Sequence, residues 1–78
     1  MSDELIKNRI RELRFFNGEM SQQQLAERCE CTRQTIIALE KGRYTPSLVL
    51  AFRIAAALNE PIESVFIYED ATAKAPDA

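Results

Sequence analysis

The sequence predicts an all-α domain, five short helices around one core, with a small two-stranded sheet joining the chain ends. Three observations carry this. Apolar residues recur at helical spacing in five separate stretches. Each stretch opens on a capping residue or a proline, and three close on Asn or Gly. A length of 78 residues provides for one small domain with a modest core. Residues 1–70 are read as that domain, and the small, polar run 71–78 as a flexible tail.

In chain order, Asn8 caps a first helix over about residues 9–17. Ile10 and Leu13 form its core stripe, and Arg9, Arg11 and Glu12 point to water. Phe15 and Phe16 are adjacent, about 100° apart on a helical wheel, so both cannot face one core and one is partly exposed. Asn17-Gly18 ends the helix and Met20 plugs the core. Ser21 caps a second helix, 21–28, with Leu25, Ala26 and Cys29 on one face. After a tight turn at Cys29-Glu30-Cys31, Thr32 caps a third helix, 32–41, which places Ile36, Leu39 and Glu40 together and stops at Gly42.

Arg43 to Pro46 is a loop, and Ser47 caps a fourth helix, 47–58. Leu48, Ala51, Ile54, Ala55 and Leu58 lie at helical spacing there, while Val49, Leu50, Phe52, Ala56 and Ala57 widen the apolar surface past a single stripe. Such a helix is either central or covered by something else. Asn59 suits a left-handed end, and Pro61 opens a fifth helix, 62–66, with Ile62, Val65 and Phe66 as its apolar set. Phe66-Ile67-Tyr68 reads as a short strand, and Leu5-Ile6 is the apolar pair available to partner it.

Composition narrows the function. Histidine is absent, which removes histidine-based catalysis and histidine metal ligation. Cys29 and Cys31 alone cannot complete a zinc site within one chain, and they are read as core residues rather than ligands or redox groups. No phosphate-binding loop and no reactive-cysteine context is present, so the expectation is a non-enzyme with no cofactor, no metal and no small-molecule ligand. No apolar run approaches the roughly 18 residues of a membrane span, and the expected setting is the reducing cytoplasm. The formal net charge is −2, which at face value argues against nucleic acid. The distribution softens this: residues 1–46 carry eight Lys/Arg against seven Asp/Glu, residues 47–78 two against five. Local field, not total charge, governs contact with DNA.

Two helices as short as the second and third cannot bury all their faces. Arg33, Gln34, Ile37, Ala38 and Lys41 are left on the open side of the third. Arginine can grip guanine O6 and N7, glutamine can grip adenine N6 and N7, and Ile or Ala can pack on thymine methyls. These are side chains suited to a DNA major groove.

The segments S-Q-Q-Q-L-A at 21–26, T-R-Q-T-I at 32–36, L-E-K-G-R-Y at 39–44, P-S-L at 46–48 and P-I-E-S-V-F at 61–66 occur at spacings that strongly resemble the Cro/CI-type (XRE) helix-turn-helix regulators, with the lambda-repressor-like fold. The resemblance spans about residues 7–66. It implies a compact five-helix domain that binds double-stranded DNA, usually as a homodimer, with the third helix as recognition helix. Carried over by position, it implies base reading by Arg33, Gln34, Ile37 and Ala38. It implies backbone contact by Gln22, Thr32, Lys41, Arg43 and Tyr44, with Gln22 also bracing the recognition helix, and a paired Arg14 and Glu40. The surplus apolar surface, Ile62, Val65, Phe66, Ile67 and Tyr68 with Val49 and Phe52 nearby, is then expected at a dimer interface. The resulting expectation is a repressor on a pseudo-palindromic operator. The alternative is a protein-interaction module that uses the scaffold without reading DNA.

The chain departs from the family pattern in three places. Glu30 stands where the turn usually holds glycine. Either it adopts a left-handed backbone at a cost of about 1 kcal/mol, or the turn is reshaped and tilts the recognition helix. The loop between the first two helices is one residue longer, by Glu19, and Phe15 and Phe16 replace residues that are usually charged.

Overall fold

A computed structural model describes residues 6–68. Its elements run β1 (Ile6–Asn8), α1 (Ile10–Phe16), α2 (Gln22–Cys29), α3 (Arg33–Glu40), α4 (Leu48–Ala57), α5 (Ile62–Val65) and β2 (Phe66–Tyr68). All five helices lie where the sequence places them, each one residue shorter at one or both ends, apart from the one-residue extension of α2 to Cys29. The sheet joining the chain ends is present and antiparallel, with Ile6 opposite Tyr68, Lys7 opposite Ile67 and Asn8 opposite Phe66. The pairing therefore runs through Lys7 and Asn8, with Ile6 at its edge, while Leu5 and the expected tail at 71–78 lie outside the described residues.

The register follows from one bond beyond the ladder. The Arg9 N–H donates to the Val65 carbonyl at 2.9 Å, so the residues preceding α1 are drawn along the exit of α5. Asn8 caps α1 from one residue further out than a usual N-cap. Its Oδ1 accepts from the Ile10 N–H at 3.1 Å, and its Nδ2 donates to the Leu39 carbonyl at 2.8 Å, tying the sheet to the last turn of α3. Asn17 works similarly at the other end of α1, donating to the carbonyls of Leu13 and Leu58.

Local chemistry sets the helix ends. Ser21 and Gln24 form a reciprocal capping box at the start of α2, with the Gln24 N–H on Ser21 Oγ at 3.0 Å and the Ser21 N–H on Gln24 Oε1 at 2.8 Å. Thr32 and Ser47 cap α3 and α4 in the same sense, accepting from the N–H groups of Thr35 and Leu50. Three helices end in one hydrogen-bond motif, in which a left-handed residue lets two successive N–H groups turn back onto the last carbonyls. After α2 that residue is Glu30 (φ 60°), after α3 Gly42 (φ 72°) and after α4 Asn59 (φ 60°). The paired bonds are Cys31 to Ala26 and Glu30 to Glu27, Arg43 to Ala38 and Gly42 to Leu39, and Glu60 to Ala55 and Asn59 to Ala56. The turn between α2 and α3 is thus not reshaped: Glu30 takes the strained conformation.

The core gathers one stripe from each helix. Ile10 and Leu13 of α1, Leu25, Ala26 and Cys29 of α2, Ile36 and Leu39 of α3, Ile54 and Ala55 of α4 and Val65 of α5 are buried, with Met20 and Leu58 closing the ends. No buried side-chain polar atom among the described residues lacks a hydrogen-bond partner. Two expectations need correction. Leu48 is 70% exposed, because it is the first residue of α4 and projects past the layer that Ala51 already closes. Phe15 and Phe16 are both exposed, at 65% and 70%, because Ile10 and Leu13 alone fill the narrow face that α1 turns inward.

Candidate nucleic-acid interface

With Ile36 and Leu39 fully withdrawn from solvent, the opposite side of α3 is fixed outward. Arg33 and Gln34 are exposed on its first turn, and neither side chain makes a hydrogen bond or ion pair among the described residues. Their donors and acceptors are therefore available to a ligand. Ile37 and Ala38 are half-buried one turn on, and Lys41, at the C-cap, is exposed. Thr32 is exposed but already committed, its hydroxyl shared between the Thr35 N–H and the Thr35 hydroxyl at 3.0 Å.

Glu40 anchors this helix to the two before it. Arg14 on α1 meets it with two parallel bonds, Nε to Oε2 at 2.7 Å and Nη2 to Oε1 at 3.1 Å. Gln22, at the start of α2, donates its amide to the same Oε1 at 3.1 Å. Arg14 spends its remaining Nη1 on the Met20 carbonyl at 2.8 Å. The side chains of Arg14 and Glu40 are only 15% and 9% exposed, so the pair sits largely out of water and fixes the angle of α3 against α1 and α2.

A concave groove runs between α1, the start of α2 and α3. Of the residues predicted to contact DNA, it brings together Gln22, Arg33, Ile37 and Lys41, with Arg14 and Glu40 at its floor. It does not include Gln34, Ala38 or Thr32. Arg43 is exposed in the loop beyond Gly42, and Tyr44 lies over the sheet, against a small recess shared with Ile6, Asn8, Leu39 and Phe66. Three further residues line the groove that sequence reasoning left out: Arg11, Ser21 and Gln23. Arg11 stands three positions before Arg14, and that spacing on a helix signals a shared face.

The residues expected at a dimer interface separate. Val65 is fully buried in the core and has no surface to offer a second copy, because the four-residue α5 turns it inward. Ile62, Phe66 and Ile67 are half-buried and Tyr68 is exposed. Ile62 and Phe66 line an apolar groove with Ile6, Pro46, Leu48 and Ala51.

The cysteines behave as packing groups. Cys29 is fully buried, and burial is the first cause that pushes its thiol up to about 11, with a smaller contribution from nearby Cys31. Burial raises the Cys31 thiol as well. Neither is an activated thiolate at neutral pH. No helix among the described residues is long and apolar enough to cross a membrane.

The helix-turn-helix family model matches residues 10–65, which takes in all five helices. This chain belongs to the XRE-type helix-turn-helix family of transcriptional regulators. A related protein of Methanothermobacter thermautotrophicus, an uncharacterized HTH-type transcriptional regulator, is 61% identical over 66 residues, which cover 83% of this chain and 94% of that one. Among solved structures, the restriction-modification controller protein C.AhdI from Aeromonas hydrophila superposes with a TM-score of 0.67 at 34% identity, over 72% of this chain and 80% of that one. A hypothetical transcription factor, NHTF, from Neisseria gives a TM-score of 0.63 at 31% identity, over 70% of this chain and 62% of that one.

Proposed function

We propose that this regulator is a repressor that binds a pseudo-palindromic operator as a homodimer, with α3 in the major groove. The observation that carries the reading is the open face of α3, where the Arg33 and Gln34 side chains have no partner among the described residues while the opposite face is locked into the core. Arg33, Gln34, Ile37 and Ala38 read bases on this reading, and Gln22, Thr32, Lys41, Arg43 and Tyr44 hold the backbone. Gln22 then acts twice, through its contact with Glu40 and at the phosphates.

The dimer is supported by apolar surface that one domain leaves uncovered. Leu48, Val49 and Phe52 are exposed along α4, beside the groove that Ile62 and Phe66 line. A two-fold dimer sets its recognition helices roughly 34–36 Å apart, on successive major-groove turns. The structural likeness to a restriction-modification controller supports gene control of that kind as one form of this repression.

The test is fluorescence anisotropy on a duplex selected from random sequence, over a salt series. The expected result is tight binding that weakens steeply with salt. Arg33→Ala should relax preference at one base pair, costing about 1–3 kcal/mol there, while Lys41→Ala should weaken all sequences alike. Sedimentation at micromolar concentration should give a dimer that Leu48→Glu converts to a folded monomer. The absence of salt-sensitive duplex binding would instead favour the protein-interaction reading, to which the exposed Phe15 and Phe16 lend their surface.

A further inference from the structure

We propose that Arg11, on α1, is a further DNA-backbone contact, so that three elements and not two grip the duplex. The inference rests on the DNA-binding reading and extends it to a residue outside the helix-turn-helix segment. Among the described residues, Arg11, Arg28, Arg33, Lys41 and Arg43 are the arginines and lysines whose side chains make no ion pair or hydrogen bond. Three of these five, Arg11, Arg33 and Lys41, converge on one groove. Arg33 and Lys41 come from the recognition helix and its cap, and Arg11 comes from the facing side of α1.

Two neighbouring contacts explain why Arg11 stays available. The adjacent carboxylate Glu12 is taken by Arg9, whose Nε and Nη2 lie 3.2 and 3.1 Å from its two oxygens. Glu40, which lines the same groove, is neutralised by Arg14 and also accepts from Gln22. Among the described residues, Glu40 is the one carboxylate that lines the groove, and it is already paired. An arginine on the element flanking a helix in the major groove meets the phosphates bordering that groove, where it neutralises charge and carries no sequence information.

The experiment compares wild type, Arg11→Gln and Arg11→Lys on the selected operator and on a random duplex, from 50 to 300 mM salt. Displacing one condensed counterion contributes about 0.9 to the slope of log K against log salt. Each protomer of the dimer contributes one Arg11, so Arg11→Gln should flatten the slope by about 1.8 and weaken binding roughly 60-fold near 0.1 M salt, equally on both duplexes, with the ratio shrinking as salt rises. Arg11→Lys should restore most of the slope. The unfolding midpoint of Arg11→Gln, measured in parallel, should stay at the wild-type value. An unchanged slope with wild-type affinity overturns the proposal, as does a loss confined to the operator or one that tracks a lowered midpoint. Wild type showing no salt-sensitive binding would instead sink the DNA reading itself, and this proposal with it.

Discussion

Glu40→Ala should be among the most damaging single changes outside the apolar core. The carboxylate receives three hydrogen bonds, two from Arg14 and one from Gln22. Its removal leaves a guanidinium that is only 15% exposed with the Met20 carbonyl as its one protein partner, and it strips Gln22 of its acceptor. Breaking one side of a buried pair costs about 3–5 kcal/mol. The low end applies here, about 3 kcal/mol, because the residual exposure of both side chains lets water re-enter. For a domain of this size 1 kcal/mol shifts Tm by about 4–8 °C, so Tm should fall by roughly 12–24 °C. Urea unfolding followed by circular dichroism, on Arg14→Ala, Glu40→Ala and the double variant at one protein concentration, completes a cycle. The double variant should be far less unstable than the sum of the singles, with a coupling energy of about 1.5–3 kcal/mol. Additive losses, or single losses within about 0.5 kcal/mol, would mean two independent surface charges and would refute the bracing role.

Glu30→Gly should stabilise the fold by about 0.5–1 kcal/mol. The relief of a left-handed backbone at φ 60° exceeds the added freedom of the unfolded chain, and the exposed pair with Arg53 at 3.6 Å contributes little. A lower Tm for this variant would show that the Glu30 side chain matters more than its strain. Cys29 ties stability to alkaline pH. Its thiol titrates near 9 when unfolded and is pushed up to about 11 when folded, so its contribution is intact below pH 9 and is lost as pH climbs to 11, about 2–3 kcal/mol in all. Cys29→Ala should flatten that part of the urea midpoint-against-pH curve, and a curve parallel to wild type would exclude this origin. Burial separates Ile36 from Phe16: Ile36→Ala should cost about 2–5 kcal/mol, and Phe16→Ala should stay within about 0.5 kcal/mol by the same urea measurement.

Caps, turn residues and helical spacing located the five helices because those signals are local: Ser21, Thr32 and Ser47 each bond the N–H three residues ahead, whatever the rest of the chain does. The sheet was legible in its second strand, where Phe66-Ile67-Tyr68 has strand character, but not in its register. Lys7 and Asn8 carry no strand signal, and what aligns them is a long-range bond from Arg9 to Val65. Leu48 and the paired phenylalanines mark a different limit. Periodicity identifies a stripe, but where along the stripe the neighbouring elements stop covering it is a tertiary fact, and the coverage ends at Ala51. The sequence marks Arg11 as a solvated charge, and it is exposed. A helical wheel separates inside from outside, yet it cannot say which part of the outside faces the recognition helix. That requires the packing of α1 beside α3, which the Arg14–Glu40 contact sets.

The same contact bears on how a chain of net charge −2 can serve a polyanion. Among the described residues, the carboxylate lining the groove, Glu40, is held by Arg14 and nearby Glu12 by Arg9, while Glu30 at the far end of α2 lies 3.6 Å from Arg53. Each pair cancels to near zero at the range of a phosphate. The cations left over, Arg11, Arg33 and Lys41, are then not offset locally. Glu60 and Glu63, at the entrance to α5, line no part of that groove. At physiological ionic strength a charge beyond about 8 Å is largely screened, so distant carboxylates count for solubility and little for binding. Net charge is a sum over the whole surface, whereas DNA samples the field of one groove. Pairing decides which charges that groove presents, and here it leaves them positive.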